Sequence, residues 1–241
     1  MSQELNTLKQ WIDEAKHIVF FGGAGVSTES GIKDFRSKDG LYSMKFKYPP
    51  ETMLSHSFYE DHTEEFFEFY RDKLMPMDAK PNPAHYKLAQ WEQEGKLLAV
   101  ITQNVDGLHT MAGSKTVYEL HGSYLRNYCE RCGKSSSAQY IKEAAGIPRC
   151  TCGGVIKPDV VLYEEALDDQ VMLNAVKAIG KADVLIIGGT SLTVYPAAGL
   201  VQYYRGKRLV LINKSETPYD SSADLVIHDS IGKVFRQCVL E

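Results

Sequence analysis

Apolar residues recur at Leu5, Leu8, Trp11, Ile12 and Ala15. This is the three-to-four spacing of one helical face, so the chain is expected to begin with an amphipathic helix. Short apolar runs follow at 17–21, 97–102, 183–187, 208–212 and 225–227, the first of them stopped by Gly22-Gly23. They read as buried strands, and 117–120 reads as a further one. Helical periodicity fills 83–94, 170–180 and 196–204 between several of these runs. Strands alternating with helices predict parallel pairing through right-handed crossovers. The expected fold class is α/β: a Rossmann-like parallel sheet with a small zinc-binding lobe and a helical insert.

Two stretches depart from that alternation. Residues 33–77 carry Phe58, Tyr59, Phe66, Phe67, Phe69 and Tyr70 at spacings that predict a helical insert packed on the sheet. Residues 123–154 hold four cysteines and Ser135-Ser136-Ser137, the pattern of a metal-pinned lobe with little apolar core of its own. The expected division is a discontinuous nucleotide-binding domain (1–32, 84–122 and 155–241), a cofactor loop with helical insert (33–83) and a metal lobe (123–154).

Composition narrows the function classes. The 241 residues are 44% hydrophobic and 24% charged, with a formal net charge of −4. That balance lacks the basic footprint of a nucleic-acid binder, and the basic-aromatic Lys45-Phe46-Lys47-Tyr48 is too short to supply one. No apolar run approaches the ~20 residues of a membrane span, and no secretory leader pattern opens the sequence. A cytoplasmic protein that binds neither membrane nor nucleic acid is expected, with a monomer as its oligomeric state. In a reducing compartment, Cys129-x-x-Cys132 and Cys150-x-Cys152 point to zinc rather than to disulfides. Cys238 is left over as a structural thiol.

The polar signatures cluster just past the apolar runs. In an open parallel sheet, that edge is where ligands bind. Gly23-Ala24-Gly25-Val26-Ser27 follows the first run and matches the start of a dinucleotide fingerprint, with Thr28 where a third glycine would stand. Its backbone N–H groups would meet a pyrophosphate; a glycine turn without ligand is the alternative. In the loop beyond, Arg36 suits phosphate oxygens and Phe35 an aromatic leaving group. Gln103, Asn104 and Asp106 follow the second run; they suit a ribose or a carboxamide, or else cap a turn. His121, delivered by 117–120 beside Gly122, is the expected general base, whereas His109 reads as structural. Gly189-Thr190-Ser191 follows a third run.

Taken together, these stretches resemble the sirtuins, the NAD-dependent protein-lysine deacylases, and in particular their bacterial members of intermediate class. The resemblance rests on 23–32, Asp34-Phe35-Arg36, 103–109, Glu119-Leu120-His121-Gly122, the four cysteines, 157–161 and 189–192, in the family's order across nearly the whole chain. It implies NAD as co-substrate, structural zinc on Cys129, Cys132, Cys150 and Cys152, and acetylated or otherwise acylated proteins as partners. By the same resemblance, Ala24, Asp34, Phe35 and Arg36 belong to a mobile loop over the nicotinamide and phosphates. Gln103 and the catalytic Asn104 contact the nicotinamide-side ribose. Asp106 and the Val105 backbone hold the carboxamide. Thr190 and Ser191 meet phosphate and ribose, and Asn213 lies beside the adenosine ribose. Gly23, Gly25, Thr28 and Gly189 complete the cofactor groove. His121 takes a proton from a ribose hydroxyl, and nicotinamide, O-acetyl-ADP-ribose and free lysine are the products. A peptide strand lies between Val160-Val161 and 189–192, with Tyr163 beside it. Protein ADP-ribosylation by the same nicotinamide cleavage is the alternative.

The chain departs from the family pattern in places. Cys150-Thr151-Cys152 is one residue shorter than the usual knuckle, Tyr163-Glu164 stands for Phe-Gly, and Ala166 stands where Asn is common. Glu164 adds a charge beside the peptide groove and would favour basic residues flanking the substrate lysine. Phe67 and Tyr70 stand where relatives that remove acidic acyl groups carry a Tyr-x-x-Arg pair. Without that arginine a succinyl carboxylate would be unpaired, so weak desuccinylation is expected.

Overall fold

The structure, a computed structural model, describes residues 3–35 and 40–238. Its strands are β1 (Ile18–Gly22), β2 (Leu97–Thr102), β3 (Val117–Glu119), β4 (Gly122–Cys129), β5 (Ser135–Ser136), β6 (Ile156–Val160), β7 (Val184–Gly188), β8 (Leu209–Ile212) and β9 (Leu225–Ile227). The α-helices are α1 (Gln3–Glu14), α2 (Pro50–Met53), α3 (His56–Asp61), α4 (Thr63–Lys73), α5 (Pro83–Gln93), α6 (Leu108–Met111), α7 (Ala138–Glu143), α8 (Asp169–Lys181) and α9 (Ile231–Gln237). None of these helices is long and apolar enough to cross a membrane.

Six strands form one parallel sheet in the order β3-β2-β1-β7-β8-β9. This is the doubly wound order, whose direction reverses between β1 and β7. Every residue of β1, β7 and β8 is buried, because helices cover both faces. On one face Phe20, Ile186 and Val210 pack with Leu8, Ile12, Leu88, Trp91 and Phe235; on the other, Phe21, Ile101 and Leu185 pack with Ile179 and Leu200. Two elements differ from expectation. Residues 196–204 form a 3₁₀ helix over Ala197–Tyr203 rather than an α-helix. The seven-residue α9, too short to show a clear period, seats Phe235 edge-on against Phe20 and Trp91.

β4, β5 and β6 form a second, antiparallel sheet. The helical insert packs on this sheet, not on the parallel one. Phe58, Phe66, Phe67 and Tyr70 share a single core with Tyr124, Ile141 and Ile156. A sheet with a two-residue edge strand cannot bury an aromatic ridge by itself, so insert and metal lobe cover each other. Cys238 is buried within the main core.

Behind the parallel sheet's ligand edge, His85 and His109 pack with ring centroids 4.7 Å apart. His109 is buried with neither ring nitrogen hydrogen-bonded, which fits its reading as structural. Burial pushes His85 down to about 4 and His109 well below the usual histidine range, the latter also through its neighbour His85. The unfolded chain therefore binds protons that these rings refuse. Their contribution to stability is complete above pH 6.5 and is lost as the pH falls toward 4, by about 3 kcal/mol for His85 alone. The urea midpoint is expected to drop between pH 7 and pH 5; a midpoint that stays level across that window would contradict this account.

Candidate functional site

The carboxyl ends of β1, β2 and β7 open into one cavity of about 840 Å³. It brings together Gly23, Ala24, Gly25, Thr28, Asp34, Phe35, Gln103, Asn104, Val105, Asp106, His121, Val160, Val161, Tyr163, Gly189, Thr190, Ser191 and Asn213. Arg36 lies outside the described residues.

The glycine loop is built differently from the sequence expectation. Gly23 N–H donates to the Gly188 carbonyl (3.2 Å) and Gly25 N–H to the Gly189 carbonyl (2.8 Å), so neither is left for a pyrophosphate. The glycines are required instead by close approach. A Cβ on Gly25 would lie 2.7 Å from Gly189 Cα, and Gly189 itself has φ +60°. This contact draws the ends of β1 and β7 together and shapes the crevice where the sheet order reverses.

A buried hydrogen-bond chain lies beside it. Asn104 Nδ2 donates to Ser27 Oγ (3.1 Å), and Ser27 Oγ donates to Asp106 Oδ2 (2.6 Å). Leu108 N–H donates to Asp106 Oδ1 (3.0 Å). Burial raises the Asp106 carboxyl above its usual range, while Ser27 and Leu108 oppose that rise. Each oxygen keeps a further lone pair for an amide donor.

His121 stands at the turn from β3 to β4, with Nδ1 3.0 Å from the Gln103 carbonyl oxygen. A carbonyl only accepts, so Nδ1 carries the proton and Nε2 is left unprotonated. Burial lowers the His121 pKa, and the Gln103 carbonyl partly offsets this. The Gln103 side chain donates through Nε2 to Thr190 Oγ1 (2.9 Å), so one residue braces both the histidine and the end of β7. Gly122 makes the sharp turn with φ +76°, and a Cβ there would lie 1.9 Å from the Asp159 carbonyl oxygen. Arg126 clamps this corner through Glu119 and Asp159, each at 2.6 Å.

Residues 23–196 match the Sir2 family. This chain belongs to that family. It is 63% identical to an NAD-dependent protein deacetylase of Clostridium acetobutylicum over 98% of both chains, and 60% identical to one of Clostridium perfringens over 99% of this chain and 100% of the other. Among solved structures, a Sir2 protein with p53 peptide and NAD+ aligns at TM-score 0.86 and 38% identity, covering 98% of this chain and 97% of that one. A histidine-to-alanine Sir2 variant with deacetylated p53 peptide and 3'-O-acetyl ADP ribose aligns at TM-score 0.89 and 38% identity, covering 97% and 96%.

Several site residues of this Sir2 member carried no role in the sequence reading. Ser27 sits inside a quoted motif, yet its link to Asn104 and Asp106 spans 77 and 79 residues. Asn82 donates through Nδ2 to the Val26 carbonyl (2.8 Å) and Ser30 Oγ (3.0 Å), while its Oδ1 caps α5 at Ala84 N–H. It clips the 26–30 segment to α5. Asp229 and Ser230 also line the cavity, just past β9, where the strand-end rule would have found them.

The cysteines meet the needs of a metal centre. Cys129 and Cys152 Sγ are 3.5 Å apart, Cys132 and Cys150 Sγ 3.7 Å, and all four lie within 4.8 Å of one another. Thiolates at 2.3 Å around tetrahedral zinc stand about 3.8 Å apart, so the donor set fits and leaves no open position. The short second knuckle is accommodated by Gly153 N–H donating to the Cys150 carbonyl and by Arg131 donating to the Cys152 carbonyl (2.7 Å).

The structure locates the residues behind two substrate-side expectations. The Glu164 carboxylate accepts from Ser57 N–H (2.9 Å) and Ser57 Oγ (3.1 Å) at the start of α3, and the residue stays exposed in the cavity lining. It holds φ +76°, a conformation that costs a non-glycine residue roughly 1 kcal/mol. Phe67 and Tyr70 are fully buried in the shared core, and the cavity wall passes instead through Asp72 to Pro76. The next residue, Glu165, ties its segment down further. Burial disfavours its charge, but Leu162 N–H, His56 and Lys157 overcome this and hold the carboxyl below its usual range.

Proposed function

We propose that this chain is an NAD-dependent protein-lysine deacetylase that yields nicotinamide, O-acetyl-ADP-ribose and free lysine. The observation that carries the reading is His121, with Nδ1 held by the Gln103 carbonyl and Nε2 left as base in the crevice of a doubly wound sheet. The names of the relatives and the peptide and acetyl-ADP-ribose complexes of the structural neighbours support it.

Bound NAD supplies the ADP-ribosyl group that accepts the acetyl group. The residues divide the remaining work. Gly23, Gly25 and Gly189 let the ends of β1 and β7 close up and so shape the crevice that takes the dinucleotide, beside Thr28. Ala24, Asp34 and Phe35 cover its nicotinamide side. Asp106 and Val105 hold the carboxamide, and Gln103 and Asn104 orient the adjoining ribose. Thr190 and Ser191 meet phosphate and ribose, and Asn213 the adenosine ribose. His121 Nε2 takes the proton of a ribose hydroxyl, which turns that oxygen into a nucleophile. The acetyl-lysine peptide adds as a strand along Val160-Val161, with Tyr163 beside it, gaining affinity from main-chain bonds. Zinc on the four cysteines is structural, and its need for reduced thiols supports a cytosolic location.

Mass spectrometry of a reaction with NAD and an acetyl-lysine peptide tests the proposal. Nicotinamide, O-acetyl-ADP-ribose and deacetylated peptide are expected in equal amounts. ADP-ribose attached to protein while the acetyl group stays in place would overturn it.

A further inference from the structure

Tyr163 and Tyr42 meet hydroxyl to hydroxyl at 2.7 Å across the mouth of the cavity that both line. Each tyrosine is anchored to a different wall. Tyr42 N–H donates to the Phe35 carbonyl (2.8 Å), its ring packs edge-on against Phe35 with centroids 5.7 Å apart, and Leu41 N–H donates to the Asp34 carbonyl (2.9 Å). Tyr42 therefore moves with the two described residues that cover the nicotinamide side in the proposed reading. Tyr163 belongs to the peptide wall. Its N–H donates to the Leu54 carbonyl and its carbonyl accepts from His56 N–H, both at 2.9 Å, so its backbone is fixed to the insert. Only its side chain is left to reach outward, and its hydroxyl reaches the cofactor wall.

We propose that Tyr163 is a positioning residue that, through Tyr42, couples the cofactor site to the peptide site. A ligand that contacts Asp34 and Phe35 also holds, through Leu41 and Tyr42, the Tyr163 phenol, and with it the wall on which the peptide strand adds. The coupling is reciprocal: a bound peptide favours the cofactor wall to the same degree. One solvent-accessible hydrogen bond is worth about 2- to 10-fold in affinity.

The inference rests on the deacetylase reading, and non-reacting ligands test it separately from catalysis. Calorimetry would measure the affinity of an acetyl-lysine peptide with and without saturating ADP-ribose. In the wild-type protein ADP-ribose is expected to tighten peptide binding by about 2- to 10-fold. Tyr163→Phe and Tyr42→Phe should each reduce that factor toward one, leave the thermal midpoint unchanged, and show no further loss when combined. Y163F binding both ligands with wild-type coupling would overturn the latch while leaving the deacetylase reading intact. Two single variants whose losses simply add would overturn it as well. A wild-type protein that binds neither ligand would instead overturn the deacetylase reading, and the latch with it.

Discussion

Replacing His121 with alanine is expected to lower deacetylation about 10²- to 10⁴-fold, the range that a positioned general base supplies. The ring donates one hydrogen bond, to the Gln103 carbonyl, so its loss leaves a single acceptor that water can satisfy. Thermal stability should therefore stay close to wild type, and binding of ADP-ribose should persist. The wild-type pH profile carries the same signature. Burial lowers the His121 pKa, so the neutral base survives below pH 6.5. Activity is expected to hold through pH 6.5 and to fall only as the pH drops through the lowered value. Steady-state rates of wild type and His121→Ala from pH 5 to 9 check both points. Retention of more than a tenth of the wild-type rate in a folded His121→Ala protein would remove His121 from its assigned role.

Removal of zinc is the second large effect. Metal binding by small cysteine modules carries apparent free energies of about 10–16 kcal/mol, most of it folding free energy. Here β5 has two residues and α7 six, so the lobe has little local structure to fall back on. Its buried Cys129 and Ile156 share a core with Phe58, Phe66 and Tyr70 of the insert. Chelation is therefore expected to release not only the knuckles but also α3, α4 and the wall that carries Tyr163. Hydrogen exchange should show protection lost over 41–77 and 122–165 and kept in β1, β7 and β8. Activity should fall along with the peptide wall rather than through any step at the metal. A fully demetallated protein with intact protection and full activity would refute the structural role of the site.

The sheet strands were legible because the sheet is covered on both faces. Burial on both faces removes alternation and leaves unbroken apolar runs, such as Phe20-Phe21 and Ile186-Ile187. The strand-end rule then picked out Gln103, Asn104, Asp106 and Thr190, all of which line the cavity. The insert was misplaced because its aromatic spacing records that one face is buried and not which surface buries it. The same limit hid Ser57 behind Glu164: their hydrogen bonds span 107 residues. Glycine was recognised as necessary at 23 and 25, but for phosphate contact rather than for the approach of β7.

By itself, the amino-acid sequence determined the apolar runs, the polar groups that follow them, and a four-thiolate donor set, because each is written in residues close together along the chain. Only the tertiary structure decided the strand order that puts β1 beside β7, the hydrogen-bond chain from Asn104 through Ser27 to Asp106, and the reach of Tyr163 to Tyr42 across 121 residues. Local pattern records whether a side chain is buried; which distant partner takes its hydrogen bond depends on how the whole sheet is wound.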